Sequence, residues 1–167
     1  AFIEFQLDGT ILMANENFLK TLGYTLDEIK GRHHSMFCTD SFRNSTDYRE
    51  FWAKLNRGEY QGGEFLRIGK GGKQVWIQAT YNPVMDATGK PCRVVKYATD
   101  ITERKEAEGR WGRLMDSRLI GVIHWSLDGK IFDANDTFLE MIGYSRDDLN
   151  SGCINWFDLT PPGFEAV

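Results

Sequence analysis

The chain has 167 residues, 26% of them charged, with basic and acidic side chains interspersed to a net charge of -4 at pH 7. No basic face is evident for a phosphate backbone, so nucleic acid is not an expected partner. The longest apolar stretches, such as Leu119 to Trp125, fall well short of the ~20 residues that span a bilayer, and no membrane segment is expected.

Phe2 to Leu7 alternates apolar and polar residues, Asp8-Gly9 turns, and Thr10 to Met13 resumes the apolar run, which predicts a β-hairpin. Asn15 is placed to cap a helix whose apolar residues Phe18, Leu19 and Leu22 share one face, with Gly23 as its stop. Thr25 caps a second short helix, Leu26 to Lys30, with Asp27 and Glu28 in its first turn. Arg32 to Asn44 shows no clear period. A third helix opens at Ser45 or Thr46, carries Tyr48, Phe51, Trp52 and Leu55 at helical spacing, and closes at Gly58. Three strands follow, Tyr60 to Ile68, Lys73 to Pro83 and Pro91 to Ile101, separated by the turns at 69–72 and 86–89. The order β-β-α-α-α-β-β-β predicts an α+β domain: an antiparallel sheet covered on one face by helices.

Residues 103–118 are charged and helix-favouring, with Ala107, Trp111 and Leu114 along one seam; an exposed tryptophan there is expected to meet another helix or chain. Beyond this linker the beginning of the chain is written again. Ile3 to Ile29 returns as Ile123 to Leu149, with no insertion or deletion, and the identities fall on turn, cap and core positions. The second copy is expected to be the N-terminal half of another unit, with the chain a piece of a longer protein and the hairpin over 119–132 left with unpaired edges. Cys38, Cys92 and Cys153 form no paired motif, which favours a reducing, cytoplasmic location.

The segments LDGTILMANENFLKTLGYTLDEIKG and GEFLRIGKGGKQVWIQATYNPVMDATGKP, followed by Asp100-Ile101-Thr102, together resemble a PAS domain with its PAC segment over residues 1–102. Residues 119–167 are similar to the N-terminal half of a second PAS domain. GRHHSMFC resembles the PAS domains of methyl-accepting chemoreceptors, and the second copy resembles those of sensor histidine kinases. The resemblance implies a five-stranded antiparallel sheet whose short helices enclose a small pocket. It also implies a sensory role, with changes passing through Asp100, Ile101 and Thr102 into the linker helix and on to an effector kinase, chemoreceptor or cyclic-nucleotide domain. Homodimerisation through the PAS domain and linker helix belongs to the same expectation.

FAD and haem b are the cofactors the resemblance brings into question, and a ligand-free spacer mediating dimerisation or protein contacts is the alternative. His34, with His33 beside it, is the candidate axial ligand for haem, against the plainer reading that both imidazoles bond loop backbone or water. Light-sensing relatives carry a reactive cysteine in a motif like GRNCRFLQ, and here His34 occupies that position, so cysteinyl-flavin chemistry is not expected; Cys38 is displaced and expected to face elsewhere. Non-covalent flavin would nominate Trp52, Gln61 and Gln78, against the reading that Trp52 is simply core. Glu64 is placed to pair with Arg67 or Lys73 across strands. No nucleophile–base constellation or zinc motif is present, so no catalytic residue is expected within the chain.

Overall fold

The computed structural model describes residues 1–161, and the chain divides into two compact units, Ala1–Lys105 and Glu106–Val167. In the first unit, β1 (Phe2–Phe5) and β2 (Ile11–Ala14) lead into α1 (Glu16–Leu22) and α2 (Leu26–Ile29). A 3₁₀ turn (His34–Phe37), α3 (Asp40–Arg43) and α4 (Thr46–Asn56) follow. Strands β3 (Gln61–Ile68), β4 (Gln74–Met85) and β5 (Pro91–Asp100) complete an antiparallel sheet of order β2-β1-β5-β4-β3, after which α5 (Thr102–Met115) departs. The expected five-stranded α+β architecture is therefore present. The segment read as aperiodic contains two short helical elements, and α5 ends three residues before the expected limit of 118.

Alternation decides which sheet face is buried. Ile3 and Phe5, then Val75, Ile77, Ala79 and Tyr81, then Val94 and Ala98 point inward, where Phe18, Leu22, Ile29, Phe37, Phe51 and Leu55 cover them. Caps set the helix starts. Asn15 Oδ1 accepts the Phe18 N–H and also the Phe2 N–H, each at 3.0 Å, so one side chain joins helix and hairpin. A capping box formed by Thr25 and Glu28 starts α2.

In the second unit β6 (Ile123–Trp125) and β7 (Ile131–Ala134) form a two-stranded sheet, followed by α6 (Asp136–Ile142), α7 (Arg146–Asn150) and α8 (Trp156–Leu159). The repeated residues repeat their work: Asn135 Oδ1 accepts from Phe138 at 3.0 Å and Val122 at 2.9 Å, and Ser145 with Asp148 forms the capping box. Ile131, Ala134, Leu139, Leu149 and Ile154 make a small core, while Leu119, Trp125, Leu127 and Phe132 remain exposed. Trp111 meets the imidazole of His124 in β6, at 6.1 Å between ring centres, and remains 44% exposed. Among the described residues no helix is long and apolar enough to cross a membrane.

Candidate functional site

Backbone bonds pin the chain after α2 to the hairpin. Ile11 N–H donates to the Arg32 carbonyl and His34 N–H to the Gly9 carbonyl, both at 2.8 Å, so His33 and His34 lie against the turn at its mouth. Adjacent extended residues point oppositely, and the two imidazoles separate. His33 remains outside: its Nε2–H donates to the Asp8 carbonyl at 2.8 Å, and its Nδ1 accepts from Ser35, opening the 3₁₀ turn. His33 is thus a cap and not a pocket residue. Gly9 is required beside it, because φ is +88° and a Cβ would stand 2.6 Å from His33 Nε2.

His34 is fully buried and sits at the centre of a polar cluster. Its Nδ1 lies 2.9 Å from the Tyr48 hydroxyl of α4 and its Nε2 3.0 Å from the Tyr81 hydroxyl of β4. Arg67 Nη2 donates to the same Tyr81 oxygen at 3.1 Å. In the neutral ring one nitrogen donates to its tyrosine oxygen and the other accepts a phenol proton. Burial, reinforced by the charges of Arg67 and Lys96, holds the imidazole pKa well below its ordinary value, so His34 is neutral. Burial also raises the Tyr81 phenol. The ring of His34 is walled by Phe5, Phe37, Phe51 and Trp52.

Two cations enter the same interior. Arg67 follows Phe65 on the inward face of β3, with its guanidinium 4.7 Å from the Phe65 ring centre; Lys96 lies between inward Val94 and Ala98, with its ammonium 4.8 Å from the Tyr81 ring centre. In the β4–β5 register Lys96 stands directly opposite Tyr81. Both cations are about 99% shielded, and neither Lys96 Nζ nor Arg67 Nε has a hydrogen-bond partner. Burial and the Arg67 charge depress the Lys96 pKa well below the usual amine range.

The nominated residues therefore do not converge on a cofactor. Both nitrogens of His34 are engaged by tyrosine hydroxyls, which leaves no lone pair for haem iron. Trp52 is buried on the inner face of α4, its indole N–H near the Tyr48 hydroxyl but without hydrogen-bond geometry. Gln61 lies at the edge of the inner face opposite Tyr81, and its amide turns back to the Tyr60 carbonyl. Gln78 is exposed on the outer face, because its neighbours Ile77 and Ala79 take the inward positions of β4. Cys38, expected to face elsewhere, is buried with its Sγ 3.8 Å from His34 Nδ1, because the 3₁₀ turn returns the chain to the core. Glu64 and Arg67 stand an odd number of positions apart and so take opposite faces; Glu64 pairs instead with Arg104 and Lys105 of α5. Arg67, Lys96, Tyr48 and Tyr81 were not read as site residues from sequence, though the alternation F-L-R and V-V-K-Y-A already places Arg67 with Phe65 and Lys96 with Val94 and Ala98. Among the described residues no group of three or more His, Cys, Asp or Glu is placed to hold a metal ion.

Strand β4 also holds the start of α5. The Ile101 N–H donates to the Trp76 carbonyl at 2.9 Å, and the Trp76 N–H donates to Thr102 Oγ1 at 3.0 Å. Asp100 Oδ1 in turn accepts the Thr102 hydroxyl at 2.6 Å and its N–H at 2.9 Å. Lys105 lies over the Trp76 ring and pairs with Glu64 at 2.7 Å.

In the second unit the equivalent of this site is filled differently. Trp156 N–H donates to Gly129 O at 2.7 Å as His34 N–H does to Gly9 O, and Asn155 caps Phe157 as His33 caps Ser35. The counterpart of His33-His34 is therefore Asn155-Trp156, two residues beyond the constant sequence offset. Trp156 stacks on Trp125 at 5.3 Å, the place of the Phe5–His34 contact.

A family model described as PAS fold matches residues 11–98, and one described as PAS domain matches residues 121–164. The biofilm dispersion protein BdlA of Pseudomonas aeruginosa is 43% identical over 166 residues, which is 98% of this chain and 39% of that protein. The aerotaxis receptor of Escherichia coli is 29% identical over 101 residues, 60% of this chain and 20% of the receptor. Among solved structures, an RNA-binding light-oxygen-voltage receptor superposes with a TM-score of 0.58 at 20% identity, over 68% of this chain and 32% of its own. The PAS domain of a Colwellia psychrerythraea protein gives 0.55 at 22% identity, over 62% of this chain and 87% of its own. This chain spans well under half the length of either curated relative, and it belongs to the PAS family of sensory signalling modules.

Proposed function

We propose that residues 1–102 form a cytoplasmic sensory unit whose state is set at the buried His34–Tyr81–Arg67 cluster. Residues 103–118 relay that state to an effector outside this chain, and 119–167 begin a second PAS domain. The observation that carries the reading is that one strand serves both ends. Inward residues of β4, Tyr81 above all, belong to the cluster, while the backbone of Trp76 in the same strand bonds Ile101 and Thr102 at the start of α5. A shift of β4 along or across the sheet moves the helix start, and a ligand moves that equilibrium by its difference in affinity for the two positions. The unit itself is non-catalytic.

Homodimerisation is part of the same proposal. The outer sheet face carries Tyr97, 57% exposed and in tilted ring contact with Phe2, beside a shallow depression at Ala1, Gln78, Thr80 and Thr99. This face is the proposed contact between copies.

Amide hydrogen exchange tests the relay without knowledge of the stimulus. In Tyr81→Phe, the amides of Trp76, Ile101 and Lys105 are expected to change protection several-fold relative to wild type, while those of α1 do not. Changes confined to the neighbours of His34 would refute the relay.

A further inference from the structure

Lys96 and Arg67 present an unmet requirement. Each is shielded from water on the inner face of the first unit, and each holds a nitrogen with no acceptor. Aromatic rings give partial compensation, those of Phe18 and Tyr81 to Lys96 and those of Phe42 and Phe65 to Arg67. No carboxylate answers them. Among the described residues the one buried acid is Glu4, which lies on the outer face and pairs with Arg93 at 2.8 Å. Cys38 is no counter-anion either, since burial raises its pKa and keeps it a thiol. A deprotonated lysine would not resolve the matter, because the amine and the guanidinium Nε–H would still lack acceptors.

We propose that this interior takes a small monocarboxylate with an apolar body, its carboxylate held between Lys96 and Arg67 beside Tyr81. The proposal rests on the reading of residues 1–102 as a ligand-responsive sensory unit, and names the class of ligand. A carboxylate supplies two acceptor oxygens and one negative charge, which suits two cations of which one is already weakened by its neighbour. The side chains packed around this interior include the rings of Phe5, Phe18, Phe51 and Phe65, which suit contact with a hydrocarbon or aryl tail and no second charge. Tyr81 connects such a ligand to the relay, since it faces Lys96 across the strand pair and bonds both Arg67 and His34.

The test uses the 167-residue chain, titrated at fixed ionic strength with sodium hexanoate and sodium benzoate, and in parallel with hexanol and benzyl alcohol. Calorimetry and the thermal midpoint report binding, and mass spectrometry of a denatured extract reports any acid carried through purification. Carboxylates are expected to bind and raise the midpoint with concentration, the alcohols not, and Lys96→Met to weaken binding by about tenfold or more while remaining folded by circular dichroism. A co-purified carboxylic acid present in wild type and missing from Lys96→Met supports the same conclusion. Protein free of any acid that binds neither carboxylate, alcohols that bind equally well, or undiminished binding by Lys96→Met would each overturn the proposal. The exchange response to Tyr81→Phe is independent of these results, so loss of the ligand class and loss of the relay are distinguishable.

Discussion

His34 and Tyr81, 47 positions apart in sequence, meet at 3.0 Å between Nε2 and the phenol oxygen, and this contact ties the 3₁₀ turn to the centre of the sheet. His34→Ala removes a buried ring and the contact it makes with each tyrosine hydroxyl, Tyr81 keeping only its bond from Arg67. The expected loss is about 2–4 kcal/mol in urea unfolding, larger than for a surface histidine such as His33.

The same burial sets a pH dependence. His34 is neutral in the folded chain, whereas in the unfolded chain it titrates near its ordinary value of 6.5. Below 6.5 the unfolded chain takes up a proton the folded chain refuses, so stability is retained above that pH and falls as pH drops, by up to ~1.4 kcal/mol per pH unit. His34→Gln should flatten this slope between pH 6.5 and 5 in denaturant titrations.

Lys96→Met replaces a buried amine that has no hydrogen-bond partner with an apolar chain of similar length. In ligand-free protein at pH 7 the variant should be more stable than wild type by about 1 kcal/mol or more, read from the urea midpoint. A loss of stability would mean that the ammonium has a partner in solution.

Gly9→Ala meets both a positive φ and the imidazole of His33, with a Cβ position only 2.6 Å from Nε2. A cost of about 1–2 kcal/mol is expected, with loss of the His33–Asp8 contact visible as a shift of the His33 imidazole resonances. Gly129→Ala should strain the second unit similarly, since its Cβ would clash with Asn155 Oδ1.

The features most legible in the sequence were those with a period or a cap. Alternation placed the strands within two residues of their observed ends, and Asn15, Thr25 and Ser45 marked helix starts that the structure retains. The segment 32–44 was opaque because its two elements are four residues each, too short for a period, and are started by the side chains of His33 and Thr39. Arg67 and Lys96 are not marked as interior by residue type; strand parity turns both inward. The repeat is legible through Leu149; beyond it two extra residues precede Asn155-Trp156, and the paired bonds to Gly9 and Gly129 reveal the correspondence.

The central claim is that the buried cluster and the start of α5 are energetically coupled through β4. Thr102→Val removes the acceptor of the Trp76 N–H and the donor to Asp100, and should cost about 1–2 kcal/mol alone. The direct measurement is a double-mutant cycle of Tyr81→Phe with Thr102→Val by denaturant unfolding. Coupling predicts departure from additivity by about 0.5 kcal/mol or more, whereas additivity within ~0.3 kcal/mol would contradict the account.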